Sequence, residues 1–335
     1  MPLIYESDVP ELRECYVRDP APAIVDWRGR KALRLSGQGA SLVILTPLHL
    51  AQGRIAVDIG AEGAAYAGVA FHIADTCNFE LAYAQPHTSG QWDALQYDPV
   101  IHGANSWQLV YGPHAQAAAH LPPQTWFRLS VEFSERQARI RVGEQAPLLV
   151  PRLAHAHGSG GVGLWTYLPA HFAHVQVWDD APPDLPGGSG TPEAAPAGCV
   201  TEWFLEGFGV VACEPNGILN VNRYLPVTVE EVRLVRWLET PEPLDLELRV
   251  GYSDELTLEL DGQAVFSGRH VFHSSPKWEE RGYVEARERV HVTLAPGRHQ
   301  LAATLRMTEL FGFGMIVNLG EGVKTLLPAG LHPLG

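Results

Sequence analysis

The chain has 335 residues, enough for two separate cores at the usual one to two hundred residues per domain. Its 24 Lys and Arg stand against 38 Asp and Glu, a net charge of −14 with no basic run, which disfavours a nucleic-acid-binding surface, since phosphate contacts need a basic footprint. Only 19% of residues are charged, whereas 33 Gly and 26 Pro cut the chain into short segments, so composition points to an all-β protein.

The N-terminus, Met1 to Asp8, has no basic segment followed by an apolar one, and no stretch approaches the roughly 20 apolar residues that span a bilayer. The expectation is a cytoplasmic protein with no membrane insertion. Short alternating segments follow at the spacing of strands and turns in a sandwich. They run through Lys31–Leu35, Ser41–Leu45, Gly53–Ile59, Trp126–Phe133, Gln137–Val142 and His174–Trp178. No segment shows a helical period. From Asp179 to Cys199 the chain reads DDAPPDLPGGSGTPEAAPAGC, too poor in large apolar side chains to order itself strongly, which places a linker at 179–199 between domains at 1–178 and 200–335.

The alternation returns beyond the linker. Val229–Glu239 is read as a strand rather than a short helix, and Leu244–Val250 and Leu256–Leu260 alternate strictly. Asp261-Gly262 then predicts a tight hairpin into Ala264-Val265-Phe266, because both turn positions tolerate positive φ. Tyr252 to Glu255 read as a turn carrying solvated charge, and Trp278-Glu279-Glu280-Arg281 as a polar loop with one rim aromatic. Arg289–Leu294 and Gln300–Leu305 complete the set, joined through Ala295-Pro296-Gly297. The fold expected is all-β: two antiparallel, jelly-roll-like β-sandwiches joined by a Pro/Gly-rich linker.

Specific residues carry two resemblances. Ala65–His72, Asn78–Pro86, Asp93–Tyr97, Trp107–Leu109, Trp126–Leu129, Gly160–Trp165 and Phe172–Val175 resemble the laminin-G-like, concanavalin A-like lectin and glucanase sandwiches over about residues 25–178. The chain differs in carrying Gln85 where such sequences often have Arg before the proline. Gly251–Glu255, Leu258–Gly268 and Leu294–His299 resemble the galactose-binding-like sandwiches, over about 200–330. Both resemblances imply carbohydrate recognition, and the first implies a structural Ca²⁺ held by Asp and backbone carbonyls, with no required cofactor.

Glycosidases of that sandwich class set carboxylates along one strand so that nucleophile and acid flank the glycosidic bond. Here Ala56 takes the first place, while Asp58 and Glu62 share a face at a spacing too wide for the pair. Gly158-Ser159-Gly160-Gly161-Val162-Gly163 satisfies a nucleotide-loop spacing but leads into a strand, not a helix. Histidines pair locally at His155/His157, His171/His174 and His270/His273 without a third ligand at metal spacing, and Cys15, Cys77, Cys199 and Cys213 form no C-x-x-C.

Sugars are held by planar amides that match hydroxyl pairs and by rings that stack on C–H faces. That chemistry singles out Tyr83, Gln85, His87, Gln96 and Trp107, with His72, as candidate ligand-binding residues. Strand parity places Tyr83 and Gln85 with Phe79 and Leu81, and Glu80 on the opposite face with Ala82 and Ala84. The leading expectation is non-catalytic binding of a neutral oligosaccharide or glycoconjugate. Two alternatives stay open: an enzyme on sugars using His72, Glu80 or His87, and a structural module that packs against a protein partner.

Overall fold

The computed structural model describes residues 2–180, 185, 194–320 and 322–327. Most of the linker read from the sequence therefore lies outside the described residues. Among those described there is no α-helix, only short 3₁₀ turns between antiparallel strands. The chain divides into two compact units, Met1–Val100 with Val110–Gly190, and Ile101–Leu109 with Thr191–Gly335. Within the span 1–178 expected of the first domain, the nine residues Ile101–Leu109 group with the second unit.

The first unit is a sandwich of two sheets. Sheet I runs Leu148–Val150, Ala138–Val142, Phe127–Phe133, Gly53–Gly60, Ala170–Trp178, Arg30–Leu35 and Ala23–Trp27, with Leu3–Ser7 also on Ala170–Trp178. Sheet II holds Asn78–Ala84, Tyr66–Asp75, Gly161–Tyr167, Ser41–Leu45 and Cys15–Arg18, and Leu95–Tyr97 adds to Asn78–Ala84. Alternation decides what lies between them. Ile55, Val57 and Ile59 of the central strand enter the core with Leu129, Val131 and Phe133 across the ladder and Val69, Phe71 and Leu164 from sheet II. Fully burying each such side chain contributes about 1.5–3 kcal/mol. The strand ends at Gly60, and Glu62 lies exposed beyond it, so Asp58 and Glu62 do not share a strand face.

The second unit pairs a seven-stranded sheet, built around Glu231–Thr240, Gly297–Arg306 and Asp254–Leu260, with a four-stranded one built around Leu244–Tyr252 and Glu288–Leu294. The segment read as a strand at Val229–Glu239 forms one over Glu231–Thr240, and Asp261 (φ 51°) and Gly262 (φ 77°) form the expected hairpin turn. Leu234, Leu238, Leu248, Val250, Leu258 and Phe313 sit in its core. Ile101–Leu109 joins this unit through its backbone: Asn105 N–H donates to Leu310 O (3.1 Å), Gln108 N–H to Phe311 O (3.1 Å) and Val284 N–H to Gln108 O (2.9 Å).

One sequence reading fails in this unit. Tyr252 to Glu255 are no solvated turn: Tyr252, Ser253 and Asp254 are buried, and a strand starts at Asp254. Asp254 is left-handed (φ 62°), a conformation that Asp tolerates. Its Oδ1 accepts from Thr308 N–H (2.7 Å), Thr308 Oγ1 (2.7 Å) and Glu309 N–H (2.8 Å), while Oδ2 has no partner. Burial holds this carboxyl above the usual carboxylate range, against the lowering effect of those donors.

A raised carboxyl pKa makes its contribution complete at acid pH and loses it as pH rises through the folded value. Asp254→Asn keeps the accepting oxygen and the backbone angle, and is expected to hold or raise the thermal midpoint, with a larger gain at neutral than at acid pH. Asp254→Ala strands the three donors and is expected to cost about 2–4 kcal/mol in denaturant unfolding.

Candidate functional site

The outer face of sheet II carries the aromatic and amide residues. Register sets Trp165 opposite Gly68, Gly68 opposite Tyr83 and Tyr83 opposite Gln96, one row across four strands. At Gly68 a Cβ would lie 1.9 Å from Ala82 O, so the position takes no side chain. Across this gap Tyr83 stacks on Trp165 (ring centroids 5.5 Å apart, 28° between planes). Tyr66 meets Tyr83 edge-on at 5.9 Å, its cross-strand partner Tyr167 at 6.0 Å and His87 at 4.9 Å. The series runs from buried rings at Trp165 and Tyr83 to Tyr167, 41% exposed, and to His87, exposed on the 3₁₀ turn Pro86–Thr88.

The two amides meet beside it. Gln85 Nε2 donates to Asp93 O (2.6 Å) and to Gln96 Oε1 (3.3 Å), and both side chains are buried. Gln96 Nε2 is left without a partner. The pair is therefore one built unit rather than two open sugar hooks.

The structure thus brings together Tyr83, Gln85, His87 and Gln96 among the residues singled out from sequence, and separates two. His72 (φ 45°) is 1% exposed; its Nε2 meets Ala51 O at 3.1 Å and its ring packs on Phe71 and Phe133. Burial lowers its pKa to about 4, so the imidazole is neutral at pH 7. Trp107 belongs to the second unit, where its ring meets Phe272 (5.3 Å), Tyr283 (5.6 Å) and Phe311 (5.7 Å) edge-on or tilted. The chain changes unit between Val100 and Ile101, so Trp107 is described with the second unit and Gln96 with the first. Tyr66, Trp165 and Tyr167 escaped the sequence reading. The parity of Gly163, Trp165 and Tyr167 against Val162 and Leu164 was the signal that could have found the last two.

Parity does hold for Glu80. Its carboxylate lies in the sandwich interior beside Tyr97, accepting from Tyr97 Oη (2.6 Å) and His155 N–H (2.8 Å), on the face opposite Tyr83. On sheet I, Asp58 is held between Arg30 Nη1 (2.7 Å) and Arg128 Nη1 (3.0 Å), opposite no second carboxylate. Among the described residues no three of His, Cys, Asp and Glu stand together as metal ligands. No helix there is long and apolar enough to cross a bilayer.

No family model matches the chain, and no curated protein matches it. Solved structures do. The carbohydrate-binding module CBM66 from Bacillus subtilis is 17% identical over 48% of this chain and 92% of its own, with a TM-score of 0.36. A Bacillus subtilis protein of unknown function with a galectin-like fold is 10% identical over 53% and 96%, TM-score 0.39. A Bacillus licheniformis β-glucanase is 7% identical over 52% and 97%, TM-score 0.34.

Two measurements check this geometry. Gly68→Ala is expected to lower stability by about 1–3 kcal/mol, since neighbouring backbone must shift to admit the methyl group. A histidine whose pKa falls on folding contributes stability above its unfolded value, and that stability is lost as pH drops toward the folded one. Between pH 6.5 and about 4, then, His72 withdraws about 3 kcal/mol, and His72→Gln is expected to flatten the stability profile in that window alone.

Proposed function

We propose that the first unit binds a neutral oligosaccharide or glycoconjugate, without turning it over, along the outer face of sheet II. The observation that supports this reading most is the ring series from Trp165 and Tyr83 through Tyr66 to Tyr167 and His87. Stacked inner rings hold the outer ones at fixed angles, which lowers the ordering cost of a C–H face laid against them. The Gln85–Gln96 pair stiffens the turn that carries His87, because Gln85 O also accepts from Thr88 N–H (3.0 Å) and Thr88 Oγ1 (3.2 Å).

The case against turnover rests on the carboxylates. Retaining and inverting hydrolysis both need two of them facing one bond. Glu80 and Asp58 lie in different sheets of the sandwich, one in its interior and one between two arginines. Alanine occupies the remaining position, at 56.

Isothermal titration against a panel of neutral oligosaccharides tests the reading. Binding tighter than millimolar, weakened about tenfold by Tyr167→Ala and by His87→Ala with the melting curve unchanged, is the expected result. No binding across the panel overturns it. So does turnover of a glycoside that is abolished by Glu80→Gln or His87→Ala, which would make the protein an enzyme.

A further inference from the structure

The outer face of sheet I has a charge opposite to that of the chain. Register and alternation bring six arginines onto it: Arg30, Arg34, Arg54, Arg128, Arg139 and Arg141. Among the paired strand residues of that face the carboxylates are Glu6, Asp58 and Glu132, while Asp8 lies beside Arg30 and Glu62 acts on His171, the cross-strand partner of Arg34. In one row Arg139 stands opposite Glu132, Glu132 opposite Arg54 and Arg54 opposite Trp178; in the next, Arg141 stands opposite Ser130, Ser130 opposite Ala56 and Ala56 opposite Gln176. The strands of this face thus present more guanidinium than carboxylate groups, in a protein whose sum is −14.

The three strand carboxylates do not saturate these groups. Asp58 takes Arg30 and Arg128, Glu132 takes Arg139 Nε (2.5 Å), and Glu6 accepts from Gln176 Nε2 (2.6 Å). Among the described residues Arg34, Arg54 and Arg141 have no carboxylate within ion-pair reach, and the Nε atoms of Arg54 and Arg141 have no hydrogen-bond partner. Tryptophans lie among the cations: the Arg54 guanidinium sits 4.7 Å over the Trp178 ring and that of Arg30 5.0 Å over Trp126.

At about 4.8 Å per strand, the face from Ala138–Val142 to Ala23–Trp27 spans about 24 Å. That is well beyond the Debye length of about 8 Å at physiological salt, so an anion there responds to these arginines and not to the summed negative charge of the chain. Guanidinium forks spaced along a flat sheet fit planar anionic groups repeated along a polymer.

We propose that the outer face of sheet I binds an acidic polysaccharide, a chain of sugar rings bearing carboxylate or sulfate groups. This is a second ligand class on the other sheet of the sandwich, and it stands whether or not the ring series of sheet II binds a neutral sugar. Its chief groups are Arg34, Arg54 and Arg141, the cations without a carboxylate of their own.

Titration of the full chain with an oligogalacturonate, a heparin-derived oligosaccharide, a neutral gluco-oligosaccharide and single-stranded DNA tests it. Expected is binding of at least one acidic saccharide at about 0.02 M salt, weakening steeply by about 0.3 M. Arg54→Gln with Arg141→Gln should weaken that binding about tenfold or more, leaving the melting curve and any neutral-sugar binding unchanged. Arg34→Gln, which breaks no ion pair, gives an independent check should the double variant fold poorly. Uronate against heparin binding tells carboxylate from sulfate. The proposal is overturned if neither acidic saccharide binds, if the variants bind as the parent does, or if DNA binds more tightly than both.

Discussion

Every feature of the first unit depends on the two-residue period of its strands. In Gly53–Gly60 the odd positions are Ile55, Val57 and Ile59, all within the core, and the even ones are Arg54, Ala56 and Asp58, on the outer face. A one-residue slip against Phe127–Phe133 would drive Arg54 and Asp58 inward and put three branched aliphatics in water. Burying unpaired charge costs several kcal/mol per group, so the register has no close competitor. The same alternation sorts Glu80 from Tyr83 on sheet II.

Once the register is set, each face acquires its own chemistry. Sheet II turns aromatic rings outward, with Gly68 providing the space over which Tyr83 and Trp165 stack. Sheet I turns guanidinium groups outward, and Asp58 lets two of them, Arg30 and Arg128, approach one another by standing between them. Arg128 is fixed further by donating to His174 O (2.6 Å) and Gln176 Oε1 (2.6 Å). Replacing Asp58 by a neutral residue would leave these two cations without the carboxylate that pairs with both.

What could be read from the sequence was whatever a strand states about itself. Alternation located Ser41–Leu45, Gly53–Gly60, Leu244–Tyr252 and Glu231–Thr240 almost to the residue, and Asp261-Gly262 announced its hairpin through backbone freedom alone. The errors lie where the deciding partner is remote. Asp254 looked like a surface turn because its three donors come from Thr308 and Glu309, more than fifty positions later. Trp107 looked like a neighbour of Gln96, yet the rings that surround it are Phe272, Tyr283 and Phe311. Tyr66 could not be joined to His87 until Pro86–Thr88 was seen to turn back over the sheet. The arginines of sheet I were visible singly, but their assembly on one face required the register of five strands.

The nine residues Ile101–Leu109 have a consequence for how the chain can be made and cut. A polypeptide emerging from its N-terminus delivers Trp107 and Gln108 long before Phe272, Gly282 and Phe311, so this segment must wait unpaired while the intervening chain is synthesised. A break in the segment 179–199 would not yield a complete second unit, since the fragment beyond it lacks the indole that fills the space among those rings. The order of genetic text and the order of assembly differ here: the second unit begins inside the first.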